Sequence, residues 1–309
     1  MPSAALKSTV PASILTKADP DSPAFRVEDR RRLFLKAGTV VSFGAGGVEN
    51  QSDHEIAINT ADLVGGRDFA VLANDEGEVV AIPDGDDIAE GFVQIGGFHF
   101  APGGNATGRA GGDSGPAINP FSCWDLNFRP ACPDPSGMAL IDMPDGHEIW
   151  VDIYKLGVNH RGKGTSRFGE TIADGRDLPE KADGNGSVQA LDYATAVAIY
   201  AHHGKQLLSY DEFRIAAYGV TEKTSADRDP KVTGLDAART SQRGIMQATG
   251  NLWDWGHDGD PDNPRASIFG GSWYSGVHAG SRSAFLVYWP GLSAGDISAR
   301  GRSDHLRHA

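Results

Sequence analysis

"GGSWYSGVHAGSRSAFLVYWPG" occupies residues 270–291. Its aromatics are Trp273, Tyr274, Phe285, Tyr288 and Trp289; its one formal charge is Arg282, and small residues fill the gaps. It reads neither as a helix nor as a plain strand, because no 3.6-residue or sustained two-residue period runs through it. The flanks share this texture: after Gly250 the chain is almost all Trp, Gly, Asn, Asp and Ser. An irregular backbone of this kind needs a fixed frame to satisfy its peptide groups. Within the flank, "HDGDPDN" (257–263) spaces Asp258, Asp260 and Asp262 as the oxygen ligands of a calcium loop are spaced. The position where an EF-hand places its closing Glu holds Phe269, so a solvated acidic turn is the preferred reading and calcium the alternative.

Upstream the patterns become regular. "QALDYATAVAIYAHHGK" (189–205) carries apolar residues at helical spacing and ends near Gly204. "LSYDEFRIAAYGV" (208–220) predicts a second helix, with Ser209 as N-cap, Glu212 three residues on, and Gly219 as the stop. "EIWVDIYKLGV" (148–158) alternates like a strand. Earlier still, "LFLKAGTVVSF", "HEIAIN", "DFAVLAND", "EVVAIP" and "FVQIGGFHFAP" are short β-type runs bounded by Gly, Asn or Asp, at the spacing of a sandwich or barrel. "PGGNATGRAGGDSGP" (102–116) reads as a domain junction or exposed loop, and residues 1–25, rich in Ser, Ala and Pro, as a flexible or partner-bound arm.

Composition removes several classes of function. The 309 residues suffice for one large or two modest domains with a real core. A net charge of −13 argues against a nucleic-acid partner, since phosphate binding needs clustered Lys and Arg, and the run Arg30–Arg32 is too short to supply it. No apolar run approaches the roughly 18 residues of a membrane span, so membrane insertion is not expected, and the first 20 residues lack a secretory core. A cytosolic site of synthesis follows.

Catalytic signals are weak. The histidines His99, His160, His202, His203, His257, His278 and His305 show no zinc spacing, and His202–His203 sits where a helix end favours His. "GDSGP" (112–116) matches a serine-protease motif but lacks an upstream histidine segment. Cys123 and Cys132 are the only cysteines and read as reduced structural residues.

A series of motifs then carries a resemblance. "GNLWDW" (250–255), "FGGSW" (269–273), "GSRSA" (280–284) and "ARGRSDHL" (299–306), in that order, resemble the C-terminal half of C-type-lectin-fold proteins related in fold to formylglycine-generating enzymes. With "GGFHFAPGGNA", "WDLNFRPACPDPSGM", "WVDIYKLGVNH", "GTSRFGETIADG" and "HHGKQLLSYDEF", the chain from about Ile14 to Leu306 resembles the major tropism determinant family of phage receptor-binding proteins, some of which are diversified by a retroelement. The resemblance implies a mainly β, α+β chain: an N-terminal β-sandwich (26–125) after the arm, then a C-type lectin fold domain (126–309). It also implies a homotrimer at a phage tail fibre or tail tip, contacts with other tail or fibre proteins, and attachment of the virion to a bacterial surface receptor (protein, pilus or glycan). The family's N-terminal β-prism has no expected counterpart here. A structural fibre-junction protein is the alternative function. Formylglycine-generating chemistry is disfavoured, because both cysteines precede residue 133 while that chemistry needs them in the C-terminal part.

Matched without gaps to the family's variable segment, the receptor-facing positions are Ser272, Tyr274, Gly276, His278, Phe285, Val287, Tyr288, Leu292, Ala294, Asp296 and Ile297. Alternation at 272, 274, 276 and 278 suits one face of an extended segment. Trp253, Trp255, Trp273, Arg282, Arg300 and Asp304 are the expected frame: Trp supplies buried area, while Arg and Asp satisfy loop carbonyls and amides. Neither catalytic residues nor an organic cofactor are expected.

Overall fold

In a computed structural model of the chain, residues 14–43 and 46–306 are described. The architecture is mainly β, with three short α-helices confined to the second half. The described residues up to Asp125 build three sheets around one core. The largest runs in the order Ala117–Ile118, Val93–Ala101, Arg67–Ala73, Val79–Pro83, Ala57–Ile58, with Trp124–Asp125 also pairing to Val93–Ala101. Smaller sheets join Leu15–Thr16 to Thr39–Phe43 and Gly46–Asn50, and Phe25–Val27 to Leu33–Leu35 and His54–Glu55. Leu15, Leu33, Leu35, Val41, Phe69 and Ile95, drawn from all three sheets, share the core.

Of the expected arm, residues 1–13 lie outside the described residues. From Ile14 onward the chain is built into the core rather than free. Leu15 pairs with Val41 and is fully buried. Lys17 Nζ reaches Asp125 at 2.8 Å, and the same carboxylate accepts from the Ala24 amide at 2.7 Å.

The strand Val93–Ala101 is the seam of the molecule. Its Phe98 and Phe100 enter the first core, while Ala101 enters the core of the second half. His99 spans the seam: its Nδ1–H donates to Asp68 at 2.8 Å, and its Nε2 accepts from the Tyr154 hydroxyl at 2.9 Å. A carboxylate can only accept, which fixes this tautomer. Gly96 is required here, because a Cβ would stand 2.3 Å from the Trp124 carbonyl and 2.4 Å from the Phe25 ring. The Gly-rich loop that follows is not a free linker. Its amides at Ala106, Gly111 and Gly112 bond to the carbonyls of Ser241, Gly219 and Ala237. Asp113 of "GDSGP" is occupied by Arg30 and by the Gly115 amide at 2.8 Å.

In the second half, the strand Gly301–Asp304 lies between Glu148–Asp152 and Gln206–Leu207 and closes a four-stranded sheet with Met138–Asp142. Both predicted helices form. Tyr193–His202 is capped by Asp192, which accepts from the Thr195 amide at 2.9 Å, and Gly204 follows at φ +67°. Tyr210–Ala216 carries the full capping box of Ser209 and Glu212. A second four-stranded sheet runs Ala284–Phe285, Ala266–Phe269, Trp253–His257, Ile297–Ala299, the last pair parallel. Strands therefore occur within the segment that reads as irregular, too short to leave a period.

Candidate functional site

The frame is built from charges held inside the protein. Arg300 is 1 % exposed and donates to three carbonyls: Asp152 and Ile153 at 2.7 Å, and Met246 at 2.8 Å. Its Nε lies 3.7 Å from Asp254. Lys155, fully buried, donates to Asp254 at 2.7 Å and to the Leu252 carbonyl at 2.9 Å. Burial pulls the Lys155 ammonium down to about 8 against the opposing pull of Asp254. A second buried set joins Lys205 to Asp152 at 2.6 Å, with Thr165 bonded to both. These groups tie the segments at 152–155, 252–254 and 300 into one unit. Removing Asp254 or Asp152 would leave a buried lysine without its carboxylate.

On this unit sits a graded aromatic stack. Trp255 is fully buried, and its Nε1–H donates to the Leu191 carbonyl at 3.1 Å. Half-buried Tyr288 lies 6.1 Å from the Trp255 ring, Phe285 lies 5.7 Å from Tyr288, and half-buried Trp253 lies 5.4 Å from Phe285. The Trp253 amide donates to the Asp296 carbonyl at 2.9 Å, and the Asp296 carboxylate accepts from the Tyr274 hydroxyl at 2.5 Å. That hydrogen bond raises the Tyr274 phenol above its ordinary value. Tyr274 packs edge-on against Trp273 at 5.2 Å. Outward from this stack, Tyr274 is 63 % exposed, Val287 63 %, Trp289 67 % and Phe285 52 %.

The backbone beneath is held by discrete bonds rather than a ladder. The Tyr288 amide bonds the Ala266 carbonyl at 2.8 Å, and Ser267 Oγ the Leu286 carbonyl at 2.9 Å. The Pro290 carbonyl accepts from the Tyr193 amide, and that of Ala294 from the Gly175 amide, both at 3.0 Å. Residue 175 must be glycine for this contact, since a Cβ would stand 2.4 Å from the Ala294 nitrogen.

Several expected positions are corrected. Ser272 is buried, because a tight turn pairs its amide with Ser275 Oγ at 2.9 Å and bridges it to Asn251. The stretch 272–278 is a turn and a 3-10 helix, Gly276–His278, not one face of an extended segment; Gly276 and His278 are nonetheless exposed. Ile297 is buried beside Trp253 in the parallel strand pair. Leu292 and Ala294 are half-buried against the Trp255 cluster. Two frame residues belong elsewhere. Arg282 is exposed, and Asp304 is an exposed strand end paired with Arg302. Asp254 and Lys155 are the buried ion pair, which sequence reasoning missed.

Val277, Leu286 and Trp289 are exposed members of the stretch that the gap-free match did not single out. Period-two reading from Phe285 through Val287 flags Trp289. The acidic loop gathers no metal site. Asp258 accepts from the Arg265 amide and pairs with its guanidinium, and Asp260 accepts from the amides of Asp262 and Asn263. Among the described residues no group of three or more His, Cys, Asp or Glu could hold a metal ion. Cys123 and Cys132 are buried free thiols, and burial pushes Cys123 up to about 12.

Comparison with known proteins places this geometry. A family model described as the Mtd second domain matches residues 23–125. The tail fiber receptor-binding protein of Bordetella phage BPP-1 is 36 % identical over 327 aligned positions, covering 94 % of this chain and 84 % of that protein. Solved structures of the U1 and I1 variants of the Major Tropism Determinant align with a TM-score of 0.86 at 36 % identity, covering 94 % of this chain and 86 % of theirs. The M1 variant gives the same score over 96 % of this chain. With the same overall fold and more than a third of residues shared along nearly the whole chain, this protein belongs to the major tropism determinant family.

Proposed function

We propose that the chain is a phage tail-fibre receptor-binding protein that attaches the virion to a bacterial surface through the exposed patch of Tyr274, Phe285, Val287 and Trp289, together with half-buried Tyr288. In this reading the β unit that begins at Ile14 and runs to residue 125 forms the sandwich that carries a lectin-fold binding domain over 126–309. The observation that carries it is the pairing of large exposed apolar side chains with a rigid backbone. An exposed aromatic loses little conformational freedom on binding and brings a large area, each buried ring contributing about 1.5–3 kcal/mol. The tie between Tyr274 and Asp296 fixes one anchor before contact. Assembly as a homotrimer would present three such patches, and several fibres more, so that modest single-site affinity becomes firm attachment through effective concentration.

The test is adsorption of purified full-length protein to a panel of Gram-negative cells, beside a Tyr274→Ala/Tyr288→Ala variant shown to remain folded. Specific binding lost in the variant is the expected result. Equal binding by both would move the receptor site elsewhere, and binding to no cell would favour a role as a fibre-junction protein.

A further inference from the structure

The exposed position of Arg282 opens onto a cavity of about 300 Å³ that the aromatic patch does not use. Four arginines line it: Arg109 from the Gly-rich loop, Arg214 from the helix Tyr210–Ala216, Arg243 from the turn after Ser241, and Arg282. Tyr218 and Ser281 are also part of its wall, and no carboxylate lines it. In a chain with 28 basic and 41 acidic residues, four arginines from four separate segments line one depression, Arg214 lying over the Tyr210 ring at 5.8 Å and Arg243 over the Phe121 ring at 4.2 Å. Three are steadied from outside the lining. Arg109 has Glu222 at 4.0 Å, Arg214 has Asp211 at 3.2 Å, and Arg243 has Asp142 at 2.5 Å. Arg282 has no ion pair among the described residues. Arg282 is thus the one lining guanidinium that no carboxylate compensates, and an anion entering the cavity would gain its attraction.

We infer that this arginine cavity is a second binding site, for a carboxylate or phosphate group carried on a sugar-sized ligand. Guanidinium forks match the paired oxygens of both anions, and a planar fork loses little freedom on binding. Tyr218 is 44 % exposed and carries the Arg109 guanidinium over its ring at 5.5 Å, so an exposed aromatic stands beside the charge to meet the apolar face of a sugar. The volume lies at the lower end of small-ligand sites and suits one or two sugar rings. None of the patch aromatics contributes, so the site stands whether or not the patch contacts the receptor.

The test is titration calorimetry of the full chain at low salt with glucuronate, inorganic phosphate and, as neutral control, glucose. The expected result is glucuronate or phosphate binding with a Kd of about 1 mM or tighter, weakened at least threefold by added salt and at least tenfold in Arg214→Gln/Arg282→Gln, with no heat from glucose. Binding of glucuronate alone assigns the carboxylate, binding of phosphate alone the phosphate, and binding of both the shared oxyanion chemistry. If the double variant does not fold, Arg282→Gln alone carries the test with a smaller loss. Anions that bind no better than glucose, or equally to wild type and variant, would overturn the inference.

Discussion

The seam strand Val93–Ala101 and the stretch 270–296 solve the same problem in opposite ways. The strand is buried on both faces and held by a ladder: seven of its residues pair with Arg67–Ala73. Its side chains are fixed by neighbours on each side, so nearly every position is constrained. The 270–296 stretch has one two-residue strand and otherwise scattered bonds, among them those to residues 175, 193, 223, 250, 251, 253, 266 and 267. Those bonds are mostly to backbone atoms, so they hold whatever side chain stands above them. The difference teaches that a surface can be rigid in main chain and free in side chain once its support lies beneath it, in Arg300, Lys155 and Asp254.

The sharpest break of that contrast is Arg300→Ala. It removes three carbonyl bonds and leaves Asp254 with a single buried cation. A loss of about 3–5 kcal/mol is expected, read as a lowered urea midpoint. Gly96→Ala strikes the seam instead. The contact it forces on Trp124 and Phe25 is expected to cost about 1–3 kcal/mol by overpacking, in the same measurement. Gly276→Ala within the stretch meets no atom within 4 Å and should cost only about 1 kcal/mol, from its φ of +54°.

Acid should act on the support before the patch. His160 donates through Nε2–H to the Glu180 carbonyl at 2.7 Å, so its Nδ1 must accept from His203 at 2.9 Å. Both rings are held neutral: burial lowers His160, and burial, with His160 and Lys205 nearby, lowers His203 to about 3. The unfolded chain therefore binds more protons than the folded one below about pH 6.5, and stability falls as pH drops from there toward 3. The melting temperature of His203→Gln should decline less steeply than that of wild type between pH 7 and pH 5; parallel curves would remove this pair from the account. The smallest effect is expected for Tyr274→Phe. Losing one bond at an exposed site should change stability by under about 1 kcal/mol while weakening cell binding.

What the sequence disclosed follows the range of each interaction. Ser209 with Glu212, Asp192 with Thr195, and the turn-bounded strands from Leu33 to Ala101 were legible because cap, turn and period are local. Trp255 and Arg300 were legible through the motifs around them. Lys155 and Asp254 were not: they stand 99 residues apart, and neither neighbourhood announces a buried charge. Ser272 and Ile297 were misplaced because position along an aligned segment does not say which way a turn or a parallel strand points a side chain. Arg282 and Asp304 were misread for the converse reason: a charged residue among small ones was taken as buried support when it is surface.

The central claim is that support and recognition are carried by different residues. The most direct test replaces Tyr274, Phe285, Val287 and Trp289 together by alanine and measures both the melting temperature and binding to a susceptible cell. A melting temperature within a few degrees of wild type, with cell binding abolished, is the predicted result. A collapsed melting transition, or binding retained at the wild-type level, would contradict it.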